Sequence, residues 1–181
     1  VPFCTLVGHL RHESGHFYWD RLVRDTDKLD AFRAVFGDER QDYAQALSTH
    51  YAQDARTDWN AHHVSAYAAA HPWEDWAETW AHYLHMVDLL ETAAAYATGL
   101  NVPGANAGPR EHVANPFAQP APGFDTMVRQ WVPLTLLLNS LNRSLGQQDA
   151  YPFALSAGAL CKLRFVHDTI AQGSSVPAVR T

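Results

Sequence analysis

The chain has 181 residues, of which 47% are hydrophobic, and its six Trp, seven Tyr and eight Phe supply bulky side chains for a sizeable core. The formal net charge of -6 and the pI near 6.0 exclude the clustered basic face that nucleic-acid binding requires, so we expect no nucleic-acid partner. The most apolar stretch, residues 131–138, contains Pro133 and is too short to cross a bilayer, so we expect no membrane partner either.

Helical periodicity runs through the whole sequence. Apolar residues recur every three or four positions, Gly37 and Gly99 stand where helices would end, and Pro72 stands where a first helical turn favours proline. Pro133 either kinks a helix or marks its start. The predicted helices cover residues 5–23, 28–36, 38–51, 61–70, 73–98, 124–145 and 156–171. Strand alternation is not evident, so the sequence predicts a mostly α fold with little or no sheet.

The domain organisation follows from the breaks in this pattern. Residues 101–123 contain five prolines and three glycines without periodicity, which predicts an irregular arm. We expect one domain over residues 1–172 that includes this arm, followed by a disordered tail at 173–181.

The two cysteines and the first residues bear on the compartment. Cys4 and Cys161 lie near opposite ends of the sequence, and two free thiols in a reducing compartment are the simplest interpretation, although a disulfide stays open. The sequence before the first motif lacks the features of a secretory signal, so we expect a cytoplasmic protein. Because that motif begins so soon after Val1, we also expect Val1 to lie inside a longer protein.

The first predicted helix carries the sequence His12-Glu13-Ser14-Gly15-His16, an HExxH motif. Residues four apart on a helix lie one above the other, so both imidazoles can reach one ion. Glu13 leaves the helix about 100° away from His12, where it can act as a base without being a ligand. Zinc would lower the pKa of a bound water to about 7, as hydrolysis requires. A pattern this short also arises by chance in a chain with 11 His, so the motif alone does not decide the matter.

A second group of acidic residues opens the long helix at 73–98. A catalytic zinc uses three protein ligands and an open position, and Glu74 is the predicted third ligand, with Glu78 as the main competitor. Glu78 could instead accept a hydrogen bond from the far nitrogen of His12 or His16. The alternative is that Glu74, Asp75 and Glu78 only complement the positive end of the helix dipole.

Hydrolysis of a carbonyl compound also needs a donor for the developing oxyanion. Tyr67, seven residues before Glu74, is the predicted donor. His62, His63 and His71 are the alternatives.

The HExxH motif, the Glu-x-x-x-Glu sequence downstream and the tyrosine upstream together resemble those of the gluzincin metallopeptidases. They resemble in particular a bacterial family of zinc-binding metallopeptidases. The resembling segments include residues 8–23, 65–67 and 71–85. The resemblance implies a zincin-like helical domain, a Zn2+ cofactor and a peptide or protein substrate. That family carries an N-terminal zinc ribbon that is missing here, so the chain looks like the C-terminal catalytic part.

The resemblance also assigns roles to individual residues. The Glu-x-x-Ala-Glu sequence is similar to the third-ligand helix of lethal-factor-type toxins, which implies Glu74 as ligand and Tyr67 as the assisting tyrosine. His12 and His16 then complete the zinc site, and Glu13 is the general base. A different hypothesis is a non-catalytic zinc-binding or protein-interaction module derived from a metallopeptidase. Loss of hydrolysis, but not of zinc, in Glu13→Gln distinguishes the two.

Overall fold

The structure is a computed structural model that describes residues 5–52, 58–100, 111–151 and 154–173. Within these ranges the chain is mostly helical, which confirms the predicted fold class. The one sheet seen there pairs β1 (Gly99–Leu100) with β2 (Glu111–His112) in antiparallel register. The helices are α1 (Leu6–Trp19), continued by a π-helical turn at Asp20–Arg24, α2 (Leu29–Phe36), α3 (Tyr43–Ala52), α4 (Pro72–Ala95), α5 (Phe124–Ser144) and α6 (Ala157–Gly173).

Local hydrogen bonds set the first residues of α1 and α3. The Thr5 hydroxyl accepts the N–H of Gly8 at 3.0 Å and caps α1. The α3 helix starts at Tyr43, five residues later than predicted, because the carboxylate of Asp42 accepts the N–H of Gln45 at 2.9 Å. A side-chain acceptor at that position fixes the start of a helix.

The predicted helix at 61–70 is wrong. The structure has two short 3-10 turns in this region, Trp59–Ala61 and Tyr67–Ala70. The hydroxyl of Ser65 accepts the N–H of Ala68 at 3.1 Å. Such a local side-chain bond offers the backbone an alternative to a continuous helix.

The chain divides into two compact units, residues 1–83 with 153–181 and residues 84–152. In the first unit, α1 and the beginning of α4 approach each other closely at Gly15. A Cβ added there would lie 2.9 Å from the Cα of Ala77 and 3.2 Å from the Cβ of Trp80. The indole N–H of Trp76 donates to the carbonyl of Gly15 at 2.9 Å. The close contact is possible only because Gly15 lacks a side chain.

Gly15→Ala is therefore expected to destabilise the fold by about 1–3 kcal/mol, because the added methyl group meets backbone atoms that can move only if the helices separate. The better helix propensity of alanine offsets at most about 1 kcal/mol. Urea unfolding of the metal-free chain measures the difference. The control is Gly123→Ala, where an added Cβ meets nothing within 4 Å among the described residues. Equal midpoints for the two variants would contradict the packing argument.

Aromatic residues form much of the core of the first unit. Phe32, Phe36, Trp76 and Phe165 contact one another with ring centroids 4.9 to 6.4 Å apart. Such ring pairs add to the stability that burial provides. This core supports the helices that carry the candidate site.

The second unit contains α5 and the small sheet. The ring of Trp131 packs edge-on against Tyr151 at 4.9 Å. The Asn139 amide donates to the Tyr151 carbonyl at 2.7 Å and accepts its N–H at 2.9 Å, so a side chain replaces a missing backbone partner. Pro133 lies inside α5 and does not mark its start.

Two sequence predictions fall partly outside the described residues. Residues 101–110 of the predicted arm are not described, and 113–123 contain no helix or strand. The last helix continues to Gly173, and the rest of the predicted tail lies outside the described ranges. None of the described helices has the length and hydropathy needed to cross a membrane.

Candidate metal centre

Three side chains from two helices meet at one point. His12 and His16 come from α1 and Glu74 from the first turn of α4, and one ligand atom from each lies within 4.8 Å of the other two. The Nε2 atoms of the two histidines are 3.2 Å apart. The Nε2 atom of His12 lies 3.1 Å from Oε2 of Glu74, and that of His16 lies 3.6 Å from Oε1.

The second nitrogen of His12 is held by Glu78. Nδ1 lies 2.8 Å from Oε1 of Glu78, and it must donate because an ionised carboxylate only accepts. The other oxygen of Glu78 accepts the hydroxyl of Ser65 at 2.6 Å. Glu78 thus lies behind the imidazole and directs Nε2 of His12 towards His16 and Glu74.

Aromatic residues position Glu74 and His16, the other two members of the group. The hydroxyl of Tyr43, at the start of α3, donates to Oε1 of Glu74 at 2.7 Å. The ring of His16 packs on Trp73 with centroids 4.0 Å apart. Nδ1 of His16 is buried and has no hydrogen-bond partner among the described residues, so the packing on Trp73 and the contacts of Nε2 set the orientation of the ring.

The group carries an excess of negative charge. Burial raises the pKa of Glu74, but hydrogen bonds from His12, His16 and Tyr43 outweigh it and leave the pKa well below its usual range. The pKa of Glu78 is also lowered, because the hydrogen bonds from His12 and Ser65 outweigh burial. Burial lowers the pKa of His12, but its bonds to the two carboxylates raise it to about 9. Two carboxylates flank the one imidazole of His12, an arrangement that favours a bound cation.

Zinc fits the donor set and its spacing. Ligands about 2.1 Å from one tetrahedral zinc ion lie about 3.4 Å from one another. Here Nε2 of His12 lies 3.2 Å from Nε2 of His16 and 3.1 Å from Oε2 of Glu74, and Nε2 of His16 lies 3.6 Å from the other oxygen of Glu74, Oε1. Two neutral imidazoles and one carboxylate form a known catalytic set that leaves a fourth position for water or substrate. His12, His16 and Glu74 could therefore hold Zn2+.

Glu13 and Tyr67, the two residues predicted to act on the substrate, have different surroundings. Glu13 directly follows His12 on α1, and its side chain is 56% exposed, with its carboxylate 3.7 Å from Nε2 of His9. The ring centroid of Tyr67 lies 6.0 Å from that of His12. Burial and the charge of Glu74 raise the pKa of Tyr67, so its hydroxyl keeps its proton at neutral pH.

Two of the alternative oxyanion donors are engaged elsewhere. Nδ1 of His71 accepts the N–H of Trp73 at 3.1 Å and so caps α4. Nδ1 of His63 lies 3.1 Å from the buried carboxylate of Asp75. Tyr67, in contrast, has a ring contact with His12 of the group.

Sequence reasoning missed three residues of the site. Tyr43 fitted an apolar helical repeat, and nothing in its local sequence indicates a contact with Glu74. Nothing in the sequence distinguishes Trp73 from a tryptophan of the core. Ser65 lies within a segment that resembles the family, two residues before Tyr67, and this was the only signal that could have revealed it.

The family comparison agrees with this geometry. A family model described as "Putative zinc-binding metallo-peptidase" matches residues 1–169. The chain belongs to this family. Curated proteins similar to this chain are an uncharacterized protein of Mycobacterium bovis and uncharacterized proteins of two strains of Mycobacterium tuberculosis. Each is 44% identical over 173 residues, which is 93% of this chain and 47% of the relative. The chain thus spans about half the length of these curated relatives. No solved structure matches it.

Glu78→Ala is expected to weaken zinc binding by about 10- to 100-fold, because His12 then loses the acceptor that orients it. Competition with a fluorescent zinc chelator measures the dissociation constant, and circular dichroism checks the helices. Glu91→Ala is the matched control, since this glutamate is exposed on the same helix. An unchanged affinity in Glu78→Ala would show that the contact has no role in metal binding.

Proposed function

We propose that this chain is the catalytic domain of a gluzincin-type zinc metallopeptidase, in which His12, His16 and Glu74 hold Zn2+. The observation that carries the proposal is the convergence of these side chains within 4.8 Å, from two helices and across 58 residues of sequence between His16 and Glu74. When bound, zinc would lower the pKa of a water to about 7 and polarise the substrate carbonyl. The resemblance supports a C-terminal position of this domain in a longer protein.

Glu13 is the proposed general base. Its carboxylate takes a proton from the attacking water as the water oxygen bonds to the carbonyl carbon of the peptide. It then gives this proton to the leaving nitrogen as the C–N bond breaks, so that one carboxylate product and one amine product form. The exposed position of Glu13, one residue after His12, supports this role because the carboxylate remains accessible to an incoming peptide.

Tyr67 is the proposed donor to the oxyanion. A donor must hold its proton while negative charge develops on the carbonyl oxygen. The raised pKa of Tyr67 meets this requirement, and its ring lies close to that of His12. Glu78 takes no part in the proton transfers and keeps His12 in position.

The surface of α1 around Glu13 supports a peptide or protein substrate. Leu6, Leu10 and Phe17 are 86%, 69% and 53% exposed and share the helical arc of Glu13, at spacings of four, three and four residues. An apolar strip beside a proposed base suits a peptide with apolar side chains.

The test is hydrolysis by the zinc-loaded chain of casein and a mixed peptide library, followed by mass spectrometry. We expect new peptide termini that disappear after chelation and return when zinc is added. A folded chain that binds one zinc and cleaves nothing would overturn the proposal in favour of a non-catalytic zinc-binding module.

A further inference from the structure

A cavity of about 350 Å³ adjoins the candidate metal centre. It is lined by Trp19, Glu39, Tyr43, His71 and Trp73. Two of these residues also contact the centre, since Tyr43 donates to Glu74 at 2.7 Å and Trp73 packs on His16 at 4.0 Å. The cavity and the metal centre therefore share two side chains, and a group bound in the cavity would lie beside the site of chemistry.

The walls of this cavity are preformed. The ring of Tyr43 packs edge-on against His71 at 5.3 Å and against Trp73 at 5.9 Å. Trp19 packs edge-on against Phe32 at 5.7 Å. Because these rings already hold one another in place, a ligand would not have to order them on binding.

The carboxylate and imidazole groups of the walls are already paired, whereas the indole N–H groups of Trp19 and Trp73 are buried and have no hydrogen-bond partner among the described residues. Both oxygens of Glu39 accept hydrogen bonds from Arg33, at 2.9 and 2.6 Å, so the charge on this wall is compensated. Nε2 of His71 donates to the carbonyl of Gln41 at 3.2 Å, and its Nδ1 accepts the N–H of Trp73. The surface that the cavity offers to a ligand is thus mainly aromatic and lacks an uncompensated charge, which disfavours a charged side chain.

We propose that this cavity, the aromatic pocket, receives a large apolar side chain of the peptide substrate, above all an aromatic one, next to the bond that is cleaved. This inference rests on the proposed function. The volume suffices, because about 150 Å³ accommodates benzene and ligand pockets commonly range from about 300 to 1,000 Å³. Contact with aromatic rings on several sides suits an aromatic side chain of the peptide.

Rates on a peptide series provide the first test. Peptides that differ at single positions flanking the cleaved bond are compared by kcat/KM. We expect phenylalanine to exceed glycine by about 10- to 100-fold at one of these positions, as for burial of a large apolar side chain. Trp19→Phe should reduce this ratio several-fold, and Trp59→Phe, which alters a tryptophan outside the pocket, should preserve it.

Binding provides a second test that does not need catalysis. N-acetyl-phenylalanine amide is titrated into the metal-free chain while the indole N–H signals are followed by NMR. We expect saturable shifts of the Trp19 and Trp73 signals, and none with N-acetyl-glycine amide. Equal rates for all peptides together with unmoved indole signals would overturn the pocket and leave the proposed function intact. Absence of hydrolysis of any peptide would instead overturn the proposed function on which the pocket's role depends.

Discussion

Glu13→Gln is expected to lower kcat for peptide hydrolysis by about 10²- to 10⁴-fold while one zinc per chain stays bound. The amide has nearly the shape of the carboxylate but cannot take the proton of the attacking water. Because Glu13 is exposed and lies outside the group of three donors, its replacement should leave the metal centre intact. Steady-state rates on one defined peptide and metal analysis of the same sample measure both quantities.

The control for this variant is Glu91→Gln, which makes the same chemical change at an exposed position of α4. It should keep both rate and zinc. If Glu13→Gln retained the wild-type kcat, another group would have to serve as the base. If it lost zinc together with activity, Glu13 would act through the metal centre and not on the water.

His12→Ala is expected to abolish zinc binding, with a loss of affinity greater than the roughly 10- to 100-fold expected for Glu78→Ala. The change removes one of three donor atoms and leaves the buried carboxylate of Glu74 and the partly buried carboxylate of Glu78 without their shared imidazole. Unpaired buried charge also costs stability, so the metal-free variant should unfold at lower urea concentration than the metal-free wild type.

His9→Ala is the matched control for the zinc measurement. His9 lies on the same helix, three residues earlier, but its side chain is 73% exposed. If His12→Ala fails to fold, Glu74→Gln tests the same centre with little change of shape, and it should also lose zinc. Equal zinc affinity in His12→Ala and His9→Ala would contradict the assigned donor set.

The part of the site that depends on helical spacing could be predicted from the sequence. His12 and His16 are four residues apart on one helix, so their convergence is a local property. The choice between Glu74 and Glu78 is not local, because both lie on the same helix and one turn apart. It depends on how α4 is rotated against α1, which is set by the contact between Gly15 and Ala77 and by the Trp76 hydrogen bond.

The features that were missed depend on contacts between distant segments. Tyr43 reaches Glu74 across 31 residues of sequence, and its own surroundings show only an apolar repeat. The helix wrongly predicted at 61–70 has good helical residues, but Ser65 bonds both to the backbone of Ala68 and to Glu78. The first case depends on a tertiary hydrogen bond, and the second combines a local bond of Ser65 with its tertiary bond to Glu78.

The most direct test of the account is anomalous diffraction at the zinc absorption edge from crystals of the zinc-loaded chain. The account predicts one strong peak about 2.0–2.2 Å from Nε2 of His12, Nε2 of His16 and a carboxylate oxygen of Glu74. A zinc ion bound by other residues, or no peak between α1 and α4 in a chain saturated with zinc, would contradict it.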